Sequence, residues 1–320
     1  MRRLLLACAA SLLLYAAAFG FVLDRPLSLG MPRAQLDAKL ARGAAIQGRK
    51  LVILAGSNGP YSHRCEAMEP IVGMPCVNAG VAVGIGLDYL FALWQPLLHP
   101  GDVVYLPLEE AQYAVSEAAS RLGPDAAIMA RHDWATLFQL PPQRWASAFF
   151  AFDLRAAIMS TIETALIVGH FHDPRAETGA TINAWGDRTG HTATAAAANR
   201  SMLASVKPEH ATAQQVENQA ASRQVGAFLD WTRAHRVRAI GGLPTGFADS
   251  PIPPSTIAAI RALFESHDTD FLILPNLGRY PREAFFDTAD HLHETAQIAH
   301  ALAIARALAA IAAAESPSPR

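Results

Sequence analysis

Cysteine is scarce in this chain: three residues in 320, at positions 8, 65 and 76, too few for a fold built on disulfides. Charge is scarce too. Only 17% of residues are Asp, Glu, Lys or Arg against 51% hydrophobic, which excludes a disordered polar chain. Twenty-six basic residues stand against 28 acidic ones, a net charge of −2, so no cationic surplus exists to neutralise a phosphate backbone. That argues against a nucleic-acid partner. Two motifs are missing as well, the Gly-x-Ser-x-Gly elbow and the His-Glu-x-x-His metal helix. What is left is a globular α/β-type composition with one hydrophobic addition.

The addition is N-terminal. Arg2 and Arg3 precede an uncharged run from Leu4 to Leu23, closed by Asp24, Arg25 and Pro26. About 20 residues at ~1.5 Å each span roughly 30 Å, the thickness of a hydrocarbon core. Positive charge on the short side predicts a single-pass inner-membrane anchor with the remainder outside the cytoplasm, in a periplasm. A cleaved signal peptide is the rival, because Ala16 and Ala18 form an A-x-A site. The expected organisation is an anchor over 1–25, a linker over 26–49 with a short helix Arg33–Arg42, a folded domain over 50–314 and a tail over 315–320. An exported location permits Cys65 and Cys76 to pair, and the sequence leaves that open.

Short apolar runs bounded by turn residues read as buried strands: Lys50–Ala55, Gly73–Gly80 as a short strand entering a loop, Asp102–Pro107, Val237–Gly242 and Asp270–Leu274. Helices are expected over Leu87–Leu98, Ala213–Ala234 and Glu294–Ala314. Strands alternating with helices predict a parallel sheet covered on both faces. Between about 111 and 235 no strand is evident, which predicts a helical insertion. Within it Arg144–Val168 is strongly apolar, but Asp153, Arg155 and Glu163 favour a helix packed on the sheet over a second membrane span.

Parallel sheets bind ligands beyond the carboxyl ends of their strands, so three loops there are candidates. Ser57 follows the first strand between Gly56 and Gly59; it is a nucleophile if a base takes its proton, and otherwise a helix cap. The glycines of Asn78–Gly86 either aim N–H groups at an oxyanion or serve helix–strand packing. The third loop holds Asp287, Asp290, His291 and His293, which suit an oriented general base or a solvated capping turn. A metal reading rests on His291-Leu292-His293 and His170-Phe171-His172-Asp173, with nothing to fix a third ligand; no metal or other cofactor is expected.

In combination these blocks resemble the SGNH (GDSL-like) hydrolase superfamily, especially its membrane-anchored, exported members associated with exopolysaccharide O-acetylation. Leu51–Asn58 is similar to the first block, with Ser57 at the nucleophile position. Val77–Tyr89 resembles the second, Gly101–Tyr113 the following Gly-Asp-Val-Val strand, Asn183–Asp187 a mid-chain Asn-x-x-Gly-Asp segment, and Phe285–Leu292 a terminal Phe-x-Asp-Thr-x-x-His-Leu block. Three positions depart from the pattern. Val83 stands where a glycine is usual and Gly84 follows it; Leu108-Glu109-Glu110 replaces the Gly-x-Asn of the third block; Ala296 replaces a glycine of the last helix.

The resemblance implies a flavodoxin-like αβα sandwich with five parallel strands in order 2-1-3-4-5. It also implies a serine esterase or O-acetyltransferase acting on an acylated carbohydrate or exopolysaccharide, with other envelope acetylation or polysaccharide-synthesis proteins as possible partners. Ser57 would attack, His291 relay the proton and Asp287 hold the imidazole, with the N–H groups of Ser57 and Gly84 as oxyanion hole. The general superfamily spacing, Asp-x-x-His, selects Asp290 and His293 instead. A non-catalytic polysaccharide-binding or scaffold subunit is the alternative function, and the missing third-block asparagine favours it.

Overall fold

The computed structural model describes residues 1–23, 30–121, 125–149, 154–171 and 181–314. Its strands are short: β1 (Leu51–Ile53), β2 (Cys76–Asn78), β3 (Val103–Leu106), β4 (Arg238–Gly242), β5 (Gly246–Phe247), β6 (Asp270–Leu272) and β7 (Arg279–Tyr280). Five form one parallel sheet in the spatial order β2-β1-β3-β4-β6, the 2-1-3-4-5 arrangement expected. A separate parallel pair, β5 with β7, was not foreseen, because two-residue strands leave no periodic signal.

Side chains alternate across each strand, and this builds the layers. Leu51 and Ile53 share one buried cluster with Val103, Tyr105, Ile240 and Leu272, sealed by helices Cys65–Val72 and Glu294–Ala314 through Met68, Ala301, Ile304 and Leu308. Val52 and Leu54 belong to the opposite cluster with Val77, Val104 and Leu106. Helices Leu87–Trp94, Ala220–Ala234 and Pro254–Glu265 cover that face with Phe91, Trp94, Phe228 and Phe264. Because both faces are buried, the strands read as continuous apolar runs. At the sheet's amino end Lys50 Nζ meets Asp102 Oδ2 at 2.7 Å, both side chains almost without solvent access. This pins the start of β1 to the start of β3.

Three expectations are corrected. The helix expected over Arg33–Arg42 runs from Gly30 to Ala45, and Leu36 and Lys39 are buried in the domain, so this stretch is more than a linker. Lys39 Nζ donates to the Gly80 carbonyl, and burial pulls its ammonium down to about 7 while Asp187 pulls it back up. The helix expected over Arg144–Val168 is two, Pro142–Phe149 and Leu154–Val168. The second leaves Ile158, Met159, Ile162 and Leu166 exposed, since other helices already occupy both sheet faces. The helix expected over Ala213–Ala234 breaks at Gln219, whose extended backbone separates Ala213–Asn218 from Ala220–Ala234.

Arg2–Leu23 is one continuous helix with Leu4, Leu5, Leu6, Leu12, Leu13 and Leu14 exposed. Among the described residues the one helix that is long and apolar enough to cross a membrane is Glu294–Ala313, yet Ala301, Ile304, Ala305 and Leu308 on it are core residues.

Cys65 opens helix Cys65–Val72 and Cys76 opens β2; the two are buried and joined by a disulfide, with Cα atoms 5.2 Å apart. Closing a loop of this length restricts the unfolded chain by about 3 kcal/mol. Cys65→Ser/Cys76→Ser should lower the urea-unfolding free energy by roughly that amount. Thiol titration of the unfolded, unreduced chain should find Cys8 alone; three reactive thiols would show that the bond does not form.

Candidate active site

In a sheet of this order the strand sequence reverses between β1 and β3, and the crevice beyond their carboxyl ends is where ligands bind. Ser57 follows β1 and Glu109 follows β3. Ser57 sits at the N-cap of helix Asn58–Ser62, but its hydroxyl does not cap that helix. It donates instead to Glu109 Oε1 at 3.2 Å, and the Asn58 N–H donates to the same oxygen at 2.9 Å. The Asn58 amide reaches the Pro107 carbonyl at 2.7 Å, fastening the serine turn to the end of β3. Two glycines make this possible. A Cβ on Gly56 would lie 2.5 Å from Glu109 Oε1, and one on Gly59 would lie 2.9 Å from the Gly80 Cα.

The glycines of the second loop divide between roles. Gly80 packs against the Gly56 carbonyl and Gly59, while the Gly86 N–H donates to Asp125 Oδ2 at 3.0 Å. Gly84 is exposed in the turn after Val83, whose side chain adjoins Gly56. Close backbone packing therefore accounts for Gly80, while among the described residues Gly84 makes no such contact.

The third loop is closed at its base by an antiparallel bridge between Phe285 and Leu292, both buried. Their apolar side chains hold the ends, and the polar residues between them are presented above. Ser62 Oγ and Thr245 Oγ1 donate to the Asp290 carbonyl at 2.8 and 2.9 Å, seating the loop over the serine helix. Asp287 Oδ1 lies 2.6 Å from His291 Nδ1, and the His291 ring stacks on Tyr61 with centroids 3.9 Å apart. Asp287 and His291 are thus brought together, on a ring four residues beyond Ser57. Asp290 and His293 are not. His293 precedes helix Glu294–Ala314, and its Nδ1 accepts from the Ala296 N–H at 3.3 Å. Among the described residues no hydrogen bond joins it to Asp290.

No protein-family model, curated protein or solved structure matches this chain. The site is therefore read from its own geometry.

The electrostatics are dominated by two carboxyl groups. Burial raises the Glu109 carboxyl; the Asn58 N–H and the nearby His291 pull it back in part. Asp290 is pushed up to about 8, first by burial and then by Glu109, with Arg279 opposing. Two further imidazoles stay neutral, His63 behind the serine turn and His191 against Tyr61, each lowered to about 4 mainly by burial. As for metal, His291 is engaged by Asp287 and His293 by the helix start. His172 and Asp173 lie outside the described residues, among which no cluster of three metal-binding side chains occurs.

Asn183–Asp187 has a structural part. Asp187 accepts from the Cys65 and Glu66 N–H groups at 2.8 and 3.1 Å and from the Asn78 side chain at 3.0 Å. From the sequence Glu109 stood only as a departure from the third block, with no role, and Tyr61 was not singled out. An acid just past a predicted strand end was the available signal for Glu109; Tyr61 offered none, because a surface tyrosine and a stacking platform look alike in one dimension.

A carboxyl whose folded-state pKa is raised binds more protons folded than unfolded, so stability falls as pH rises between the two values. For Asp290 that window runs from about 4 to about 8. Asp290→Asn should leave thermal stability unchanged near pH 4 and raise it above pH 8, by roughly 1–2 kcal/mol for a half-buried, solvent-screened group. Parallel melting curves of the two proteins across pH would contradict the assignment.

Proposed function

We propose that this protein is an exported serine acyl-ester enzyme of the SGNH type, an esterase or O-acetyltransferase acting on an acylated carbohydrate. The observation that carries the reading is the 2.6 Å His291–Asp287 contact, with that imidazole stacked on the helix that Ser57 begins. With Nδ1–H held by Asp287, His291 Nε2 keeps its lone pair for a proton from Ser57. Ser57 Oγ then bonds to the ester carbonyl carbon, the proton passes through His291 to the departing alkoxide, and an acyl-enzyme is left. Water or a sugar hydroxyl releases the acyl group by the reverse sequence.

Glu109 has a place in this scheme. Burial raises its pKa, and in its neutral form it would donate a hydrogen bond where an anion would only repel a developing oxyanion. It stands at the strand end where the resembled family carries an asparagine donor. The Asn58 N–H, now on Glu109 Oε1, is a second donor at the same spot.

Attachment to a membrane through Arg2–Leu23, with the domain in a periplasm, completes the reading. In its favour, that helix with its exposed leucines neighbours helix Leu154–Val168, whose exposed Ile158, Ile162 and Leu166 add to the apolar surface. One observation favours a second reading, a non-catalytic polysaccharide-binding subunit: the Ser57 hydroxyl is bonded to Glu109.

Ser57→Ala and His291→Ala should each reduce turnover of model acetyl esters by several orders of magnitude with little change in melting temperature. His293→Ala should keep a large fraction of the activity. Strong loss in His293→Ala with activity retained in His291→Ala would hand the role to Asp290 and His293, and equal, mild losses in both would favour the binding subunit. The full chain should also fractionate with membranes and begin at Met1; a mature protein beginning near Phe19 would mean that the helix is a cleaved leader.

A further inference from the structure

Away from Ser57, a serine, a histidine and a carboxylate meet in direct hydrogen-bond contact. Glu110, the first residue of helix Glu110–Tyr113, lies with Oε1 and Oε2 at 3.0 and 3.2 Å from His210 Nδ1. His210 Nε2 lies 2.9 Å from Ser250 Oγ. The three come from distant parts of the chain: the end of β3, the loop after helix Arg200–Ser205, and the turn after β5. Adjacent glutamates therefore serve different serines, Glu109 touching Ser57 directly and Glu110 reaching Ser250 through an imidazole.

We infer that Ser250, His210 and Glu110 form a second nucleophilic site, one that takes a small carboxylic ester. Geometry fixes the tautomer. Nδ1 faces a carboxylate, which only accepts, so in the neutral ring Nδ1 carries the proton and Nε2 turns its lone pair to the Ser250 hydroxyl. The carboxylate is itself held, because Glu110 Oε2 accepts from the Ala211 N–H at 3.2 Å. Ser250 is half-buried in the wall of an open cleft of about 270 Å³, shared with Glu109, Asp290 and Arg279. Val206 and Ala289 give it an apolar side for a short acyl chain, and Arg279 is the one Lys or Arg among its described lining residues.

The step balances without a cofactor. Ser250 Oγ bonds to the carbonyl carbon as its proton moves to His210 Nε2. The ester C–O bond breaks and the alkoxide leaves with that proton. Water, deprotonated by the same ring, releases the carboxylic acid and restores the serine. This inference does not rest on the chemistry proposed for Ser57.

The test is to treat the full chain with a fluorophosphonate, digest it and map adducts by mass spectrometry in wild type, Ser57→Ala, His210→Asn and Glu110→Gln. The expected result is an adduct on Ser250 that forms equally fast in wild type and Ser57→Ala, and at least ~100-fold more slowly in His210→Asn. Glu110→Gln, which keeps the volume of the side chain, should slow it as well, and it decides the matter if His210→Asn melts early. An unmodified Ser250 in folded Ser57→Ala protein would overturn the inference, as would a Ser250 adduct that forms at the wild-type rate in Glu110→Gln. Because the two serines lie in different peptides, failure at Ser250 is distinguishable from failure at Ser57.

Discussion

Asp187 is a carboxylate without solvent access, and the geometry around Ser57 depends on it. Burying a charge costs several kcal/mol unless hydrogen bonds replace the lost water, and here Cys65, Glu66, Asn78 and Asn183 all donate to it. Burial still raises its pKa, so the compensation is incomplete. The arrangement ties the start of helix Cys65–Val72, the end of β2 and the 183–187 turn into one knot. Through the Asn78 amide, which also donates to the Gly59 and His63 carbonyls, the knot reaches the serine helix from behind. Gly186 belongs to it as well: its φ of +88° and its closeness to the Asn78 carbonyl leave no room for a side chain.

From the front, the serine turn is held by the end of β3. A parallel sheet delivers every strand's carboxyl end to one rim, so residues fifty to two hundred positions apart converge without any local sequence relation. Glu109 and Glu110 use this twice. Both leave β3 at the rim, one turning toward Ser57 and the other toward His210. The rim collects acid as a result, with Asp287 and Asp290 across from the two glutamates. Burial raises the pKa of both Glu109 and Asp290, and the charge of Glu109 adds to the rise at Asp290.

The disulfide and the buried Lys50–Asp102 pair both act at the amino ends of the strands, away from the rim. Cys65–Cys76 joins the front of β2 to the helix that Asp187 caps, and Lys50–Asp102 aligns β1 with β3. Small polar and covalent ties thus set the register that such short apolar strands would fix only loosely.

Composition and apolar runs by themselves determined the five parallel strands, the last helix and the hydrophobic N-terminal segment, because burial on both faces of a sheet writes an unbroken apolar signal into the chain. The order Phe285-x-Asp287 and His291-Leu292 likewise carried its meaning locally: two apolar ends clamp a polar loop. Other matters were decided only in three dimensions. Whether Leu154–Val168 lies on the sheet depends on which helices reach it first, and the sequence records apolarity rather than neighbours. Whether His291 or His293 meets a carboxylate depends on where the loop closes and the helix begins. The partners of Glu109 and Glu110 are set by which strand ends share a rim, and side-chain chemistry read in one dimension holds no distance between Ser57, His210 and Ser250.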